Sequence, residues 1–312
     1  MSAAKEIVLF VGYPAAGKSS MVGDFPGYDR LNRDTVGGSL DDIALELDKR
    51  IRAGKTKFVL DNTYPTAAQR KPVLGIASTH GIPVRCIHLA TSIEDAQVNA
   101  CQRMIQKYGK LLSPDEMAGK KDPNTYPPVV LFKYKKEYQS PEKSEGFAAV
   151  EVIKFQRKVG AEYKNKAMIF DYDGTLRDTI SGGKYPCDPN DIKILPGRKE
   201  MLQKLKAEGY RLLGVSNQSG VAKGDLTMEV AKECFEKTNK LLGVDIEYSF
   251  CPHRIPPITC FCRKPMPGLG VAFIEKYKLD RTKTTYIGDM TTDKTFSERC
   301  GIQFALADQF FK

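Results

Sequence analysis

The sequence predicts an α/β protein of two domains, each a mostly parallel sheet flanked by helices. Three observations predict it. The chain has 312 residues, room for two domains of roughly 100–200 residues each. Short β-branched runs alternate with helical stretches through both halves, the pattern of a parallel sheet covered on both faces. Each half also opens on an apolar strand that runs straight into a glycine-containing loop rich in polar groups.

In the first half, strands are expected at 7–11, 58–60, 84–89 and 150–155, and helices at 19–23, 40–53, 66–80, 92–108 and 128–137. The polar stretch 110–127, with Gly119, Lys120, Lys121, Asp122 and Pro123, reads as a mobile loop. The stretch 156–166 is charged and lacks apolar periodicity, which divides the chain into domains 1–158 and 159–312. Beyond it, strands are expected at 168–170, 211–216 and 284–287, and helices at 198–208, 227–242 and 268–277. No internal repeat or low-complexity tract is present.

Composition narrows the class. Hydrophobic residues make up 41% and charged residues 28%, as in soluble globular proteins. No apolar run approaches the ~20 residues that span a bilayer. The apolar stretch 7–11 is too short for a signal-peptide core. A soluble intracellular protein is expected, nucleus and cytoplasm being indistinguishable. The net charge is +10, of which residues 1–158 carry +6 (24 Lys+Arg, 18 Asp+Glu) and 159–312 carry +4 (24 and 20). A basic balance in both halves suits an anionic substrate, nucleic acid included, or simply a solvated lysine-rich surface.

Residues 12–19 read Gly12-Tyr-Pro-Ala-Ala-Gly17-Lys18-Ser19, a GxxxxGKS between a strand and a helix. That is the phosphate-binding loop of ATP-using enzymes. Its glycines let backbone N–H groups wrap the phosphates, Lys18 reaches the β- and γ-phosphates, and Ser19 ligates Mg2+, with Ser20 next along the loop's helix. A kinase acting on a hydroxyl also needs a carboxylate to accept its proton. Asp34, in Leu31-Asn32-Arg33-Asp34-Thr35, is the candidate, against a plain surface acid. Asp61 ends the apolar run 58–60 and suits the Mg2+ shell, substrate contact, or a turn start.

In the second half, Phe170-Asp171-Tyr172-Asp173-Gly174-Thr175 follows a strand. Two carboxylates at i and i+2 leave a strand end on the same side. Asp171 can then attack phosphorus while Asp173 exchanges the leaving-group proton, giving an aspartyl-phosphate intermediate. Ser216 and Asn217 offer a hydroxyl and an amide to a phosphate, Lys264 can neutralise charge, and Asp289 can complete a Mg2+ site with Asp171 and Asp173; Asp293 lies four residues on. Of eight cysteines, three crowd with a histidine into Cys251-Pro-His253 and Cys260-Phe-Cys262, the donor set of a closed structural zinc site.

These motifs carry family resemblances. GYPAAGKS, LNRDT, LDNTYPTAAQR, GIPVRCIHLATSIEDAQVNACQRM and FKYKKEYQSPEKSEGFAAV, spread over residues 7–155, resemble the kinase domain of polynucleotide kinase/phosphatases. The resemblance implies a P-loop NTPase fold, transfer of the ATP γ-phosphate to 5′-hydroxyl ends of DNA or RNA, Asp34 as general base and Arg103 as a lid arginine over the phosphates. The ordered motifs DYDGT, VSNQSG, RKP and IGDM resemble the haloacid dehalogenase superfamily and imply its Rossmann-like fold. The Cys-x-His…Cys-x-Cys loop before Arg263-Lys264-Pro265 resembles that of histidinol-phosphate and heptose-bisphosphate phosphatases, and departs from typical polynucleotide 3′-phosphatase domains.

Together they imply a bifunctional end-healing enzyme that phosphorylates 5′-hydroxyls and removes 3′-phosphates. ATP, Mg2+ and structural Zn2+ are its cofactors, DNA or RNA ends its substrates, and a ligase or repair protein its possible partner. Two alternatives stay open: a small-molecule kinase fused to a sugar-phosphate-like or histidinol-phosphate-like phosphatase, and a nucleic-acid scaffold that only senses nucleotide.

Overall fold

The computed structural model describes residues 5–254 and 256–312. Its contacts group residues up to 100 with 121–157 as one compact unit, and 101–120 with 158–312 as a second. Both are α/β units on fully parallel five-stranded sheets.

The first unit starts with β1 (Glu6–Val11) and the loop leading into α1 (Lys18–Met21). Then come β2 (Asp29–Leu31), α2 (Arg33–Val36), α3 (Leu40–Arg52), β3 (Lys57–Leu60), α4 (Ala67–Thr79) and β4 (Val84–Ala90). The helix α5 (Ile93–Tyr108) follows, its last turns and α6 (Pro114–Ala118) grouping with the second unit. The helix α7 (Val129–Glu137) and β5 (Ala149–Lys154) complete the first. Strand order is β2-β3-β1-β4-β5, so β1 is central. Successive β1 residues supply opposite faces: Ile7, Leu9 and Val11 pack with Ile43, Leu47 and Val73 of α3 and α4, while Val8 and Phe10 pack with Ala16, Val59 and Ile87. A strand buried on both sides must be apolar throughout, which is why β1 reads as one continuous run.

The second unit opens on β6 (Asn165–Phe170) and the antiparallel pair β7 (Arg177–Thr179) and β8 (Ile192–Ile194). The series continues with α8 (Arg198–Ala207), β9 (Arg211–Asn217), α9 (Ser219–Lys223), α10 (Met228–Leu242) and β10 (Glu247–Cys251). It ends with α11 (Gly268–Tyr277), β11 (Leu279–Gly288), α12 (Thr291–Cys300), β12 (Gln303–Leu306) and α13 (Ala307–Phe310). The order β10-β9-β6-β11-β12 again centres the first strand. One face packs on α8 and α10 through Leu202, Leu205, Phe235 and Leu242, the other on α11 and α12 through Phe273, Ile274 and Phe296.

The stretch 110–127, expected to be a mobile loop, instead carries α6. Ser113 caps it, with the Ser113 side chain and Glu116 bonding each other's backbone N–H groups and Pro114 in the first turn, a capping box masked in the sequence by neighbouring glycine and lysines. The strands β7, β8, β10 and β12, each of three to five residues, are too short for a periodicity to declare itself. No helix among the described residues is long and apolar enough to cross a membrane.

Candidate active sites

In a parallel sheet, ligands gather beyond the carboxyl ends of the strands. In the first unit, β1 runs into the loop at Gly12, where φ is 158° and a Cβ would lie 3.1 Å from the Leu89 carbonyl oxygen, so only glycine lets the loop pass β4. Positive φ also occurs at Ala15 and Gly17. Residues alternating across φ in this way turn successive N–H groups into an anion-binding concavity. Lys18 is buried, and its Nζ donates to the carbonyls of Gly12 (2.9 Å) and Tyr13 (2.6 Å). Ser20 is exposed and donates its backbone N–H to Gly17.

Asp61, just past β3, is buried and accepts from the Ser19 hydroxyl at 2.9 Å. The Arg30 guanidinium pairs with the same Asp61 oxygen. A serine and a strand-end acid joined in this way are the pair that holds Mg2+ in P-loop enzymes. Asn32 bonds the Asp61 carbonyl and accepts from Asp34 N–H at 2.6 Å, and Asn62 accepts from Arg33 N–H at 3.0 Å. These bonds stitch the ends of β2 and β3 together and leave Asp34 exposed at the start of α2. Arg103 lies on α5, in the segment that groups with the second unit. The sequence reading had no place for Arg30 or Asn62, nor for the rings of Tyr13 and Tyr134, whose centroids lie 4.5 Å apart beside this loop.

In the second unit, Asp171 follows β6 and Lys264 reaches it from the loop before α11. The Lys264 ammonium is buried between Asp171 (2.9 Å) and Asp293 (2.7 Å) and donates to the Tyr286 hydroxyl at 2.6 Å. Asn217 clamps the Lys264 backbone, accepting from its N–H at 2.9 Å and donating to its carbonyl at 3.0 Å. Carboxylate oxygens of Asp171, Asp289 and Asp293 lie within 4.8 Å of one another. Asp289 can come this close because residue 174 is glycine: a Cβ there would meet Asp289 Oδ2 at 2.6 Å.

Burial pushes the Asp171 carboxyl up to about 7; Lys264 pulls the other way, and Asp293 and Asp173 add to the rise. Asp289 is also raised, by burial first and then by Asp293. Three acids facing one ammonium leave two negative charges unbalanced, and oxygen donors alone suit a hard divalent ion.

The Asp173 carboxylate lies outside this cluster. Its Oδ1 accepts from Arg177 and its Oδ2 from Gln218, both at 2.8 Å. The cluster therefore draws Asp293 in place of the Asp173 side chain among the expected Mg2+ ligands. Arg177 is 1% exposed and also bonds the Cys234 carbonyl and the Thr238 hydroxyl of α10. Ser216 is buried and accepts from Gln218 at 3.1 Å, so Ser216 and Asp173 share one amide donor.

Behind Lys264, the atoms of Cys251, His253, Cys260 and Cys262 also gather within 4.8 Å of one another. Cys251 Sγ lies 3.7 Å from Cys260 Sγ and 3.4 Å from His253 Nδ1, which lies 3.1 Å from Cys262 Sγ. The edges of a tetrahedron with metal–sulfur bonds of ~2.3 Å are about 3.7 Å, so these atoms could hold a metal ion. Contact among the three thiols lowers Cys260 well below its ordinary value and pushes Cys251 and Cys262 up.

Residues 166–311 match the family model described as Polynucleotide kinase 3 phosphatase. The chain is 34% identical over 146 residues to a Thermoplasma volcanium protein named "Probable D-glycero-D-manno-heptose-1,7-bisphosphate 7-phosphatase", covering 45% of this chain and 97% of that one. It is 34% identical over 157 residues to the "Bifunctional polynucleotide phosphatase/kinase" of Schizosaccharomyces pombe, covering 49% of this chain but only 34% of that one. Among solved structures, the D,D-heptose 1,7-bisphosphate phosphatase of B. bronchiseptica, complexed with magnesium and phosphate, is similar at 26% identity and a TM-score of 0.41, covering 45% of this chain and 79% of that one.

Proposed function

We propose that this chain, which through its second half belongs to the haloacid dehalogenase-type phosphatase family that includes the polynucleotide kinase 3 phosphatases and the heptose-bisphosphate phosphatases, is a bifunctional nucleic-acid end-healing enzyme. One observation carries the reading. A single chain holds a P-loop whose Ser19 is joined to Asp61, and a separate phosphatase centre of Asp171, Lys264, Asp289 and Asp293. Residues 1–158 would carry the kinase and 159–312 the phosphatase.

In the phosphatase, an Asp171 oxygen attacks the 3′-phosphate. A phosphorus–oxygen bond to Asp171 forms as the bond to the 3′-oxygen breaks, and Asp173 gives its proton to that departing oxygen. Asp173 then takes a proton from water as the water oxygen attacks phosphorus, releasing phosphate and restoring Asp171. Arg177 and Gln218 aim Asp173 for both transfers. Lys264 offsets the charge on Asp171, Asn217 fixes the Lys264 backbone, and the Ser216 hydroxyl, which accepts from Gln218, keeps its own proton to donate to the phosphate. In the kinase, the 5′-hydroxyl attacks the γ-phosphorus of ATP, Asp34 accepts its proton and ADP leaves. The loop from Gly12 to Ser20 and Lys18 hold the phosphates.

Mg2+, when bound at Asp171 and Asp289 with Asp293 and at Ser19 with Asp61, supplies electrostatic stabilisation of phosphate charge. Zn2+ would be held by Cys251, His253, Cys260 and Cys262 in a purely structural role, fixing the loop that presents Lys264. The products, a 5′-phosphate and a 3′-hydroxyl, are the ends a ligase joins, so a ligase is the partner class that fits.

The Thermoplasma relative and the cysteine–histidine loop favour a second reading, in which the phosphatase acts on a small sugar bisphosphate. One oligonucleotide bearing a 5′-hydroxyl and a 3′-phosphate, in DNA and RNA form, decides between them when incubated with ATP and Mg2+ and analysed by mass and end chemistry. A phosphoryl gained at 5′ and one lost at 3′ is expected. A 3′-phosphate left intact would move the second unit to the metabolite phosphatases, and two unchanged ends would overturn the end-healing reading.

A further inference from the structure

The second unit has a basic groove at the end of its sheet away from the catalytic centre. Its volume is about 730 Å³, and five cations line it: Lys164, Lys166, Lys206, Arg211 and Lys283. Asn165, Arg211 and Glu247, which open β6, β9 and β10, lie in the same wall. The strands are parallel, so this is their amino end, whereas Asp171, Asn217 and Asp289 lie at or just past their carboxyl ends. Phosphoryl chemistry at Asp171 therefore gives no account of these charges.

Their partners are few. Asp245 and Glu247 are the acids of the groove, and Glu247 is already taken by Lys276 at 2.7 Å and by the Tyr277 hydroxyl. Lys283 pairs with Asp280 at 3.3 Å. Among the described residues, Lys164, Lys166 and Lys206 enter no ion pair. Lys166 Nζ lies 4.3 Å from the centroid of the Tyr210 ring, which also lines the groove. Five cations against two acids leave the concavity net positive, and a bound anion relieves that repulsion. A row of cations interrupted by an aromatic ring matches a phosphate backbone that also presents bases.

We infer that this groove binds the sugar-phosphate backbone of a nucleic-acid strand, several nucleotides away from the end being processed. The inference rests on the reading that the chain acts on polynucleotide ends. The six residues of β6, at ~3.3 Å each, separate groove from nucleophile by roughly 20 Å. At ~3.4 Å per nucleotide along a strand, that is about six nucleotides or more. Strands long enough to reach the groove gain affinity, and shorter ones do not.

The test compares the wild-type protein with the triple variant K164Q/K206Q/K283Q, whose three positions are exposed. Fluorescence anisotropy with a labelled 20-nucleotide strand carrying hydroxyls at both ends reads the groove without any turnover. The variant should bind about tenfold more weakly, and its log–log salt slope should be shallower by about two, near 0.7 for each phosphate that is no longer neutralised. Its melting temperature should be unchanged. In parallel, the KM for 3′-phosphate release should rise for a 20-nucleotide substrate and stay constant for a trinucleotide. Equal affinity and equal salt slope for the two proteins would overturn the groove. A wild-type protein that binds the strand through these lysines but releases phosphate from neither substrate would keep the groove and remove the 3′-phosphatase reading of the second unit.

Discussion

Lys264 and Arg177 show how single side chains shape the phosphatase centre. Each is a cation buried beside an acid, and each is held by several bonds, so neither can be removed without stranding its partner. Asp171→Asn should abolish 3′-phosphate release and leave 5′ phosphorylation intact, while Lys18→Ala should do the reverse; end-group analysis of one oligonucleotide reads both. Arg177→Met should lower phosphatase kcat by about 10²-fold, the scale of a misplaced acid–base group, with little change in KM. It should also destabilise the second unit by about 3–5 kcal/mol in urea unfolding, because a buried pair is broken. The paired acids of DYDGT were legible because their spacing is itself the chemistry. Arg177 was not, since its role depends on the turn that brings β7 back beside Asp173.

At the level of elements, seven long helices were legible to within about a residue, because their caps and apolar periods are local signals, whereas α12, which follows Met290 and is mostly polar in sequence, was not expected at all. Three-residue strands were not, because pairing with neighbours defines them. The tie between α4 and the turn before β5 was equally invisible. Arg70 of α4 is fully buried, bonds the carbonyls of Tyr64 and Gln139, and pairs with Glu145 across 75 residues. Burial raises the Glu145 carboxyl, but the Arg70 hydrogen bonds, the Glu142 backbone N–H and the Arg70 charge together outweigh this and hold it below its ordinary 4.5. A lowered carboxyl stabilises the fold above its ordinary value, and that stability is lost as pH falls through the folded-state value. Glu145→Gln should therefore flatten the fall in first-unit stability below pH 4.5, measured by urea midpoints across an acid series. Ser113→Ala should cost about 1 kcal/mol by removing the cap of α6.

Across the whole molecule, two α/β units were legible from the repeated alternation of strands and helices. The grouping of 101–120 with the second unit was not, since nothing in the composition of that stretch distinguishes it. If the cysteine–histidine loop holds zinc, a chelator should lower the melting transition of the second unit and leave that of the first in place. Identical thermograms with and without chelator would remove zinc from the loop.

The order of parts along the second unit has one more consequence. Asp171 follows the first strand of its sheet, yet the ammonium and the acid that complete its surroundings, Lys264 and Asp293, come more than ninety residues later. A chain leaving the ribosome amino end first holds Asp171 long before Lys264 and Asp293 exist. With Asp171 as the nucleophile proposed above, hydrolytic competence would arrive only with the final strands, and a stalled or half-made copy would be chemically silent toward phosphate esters.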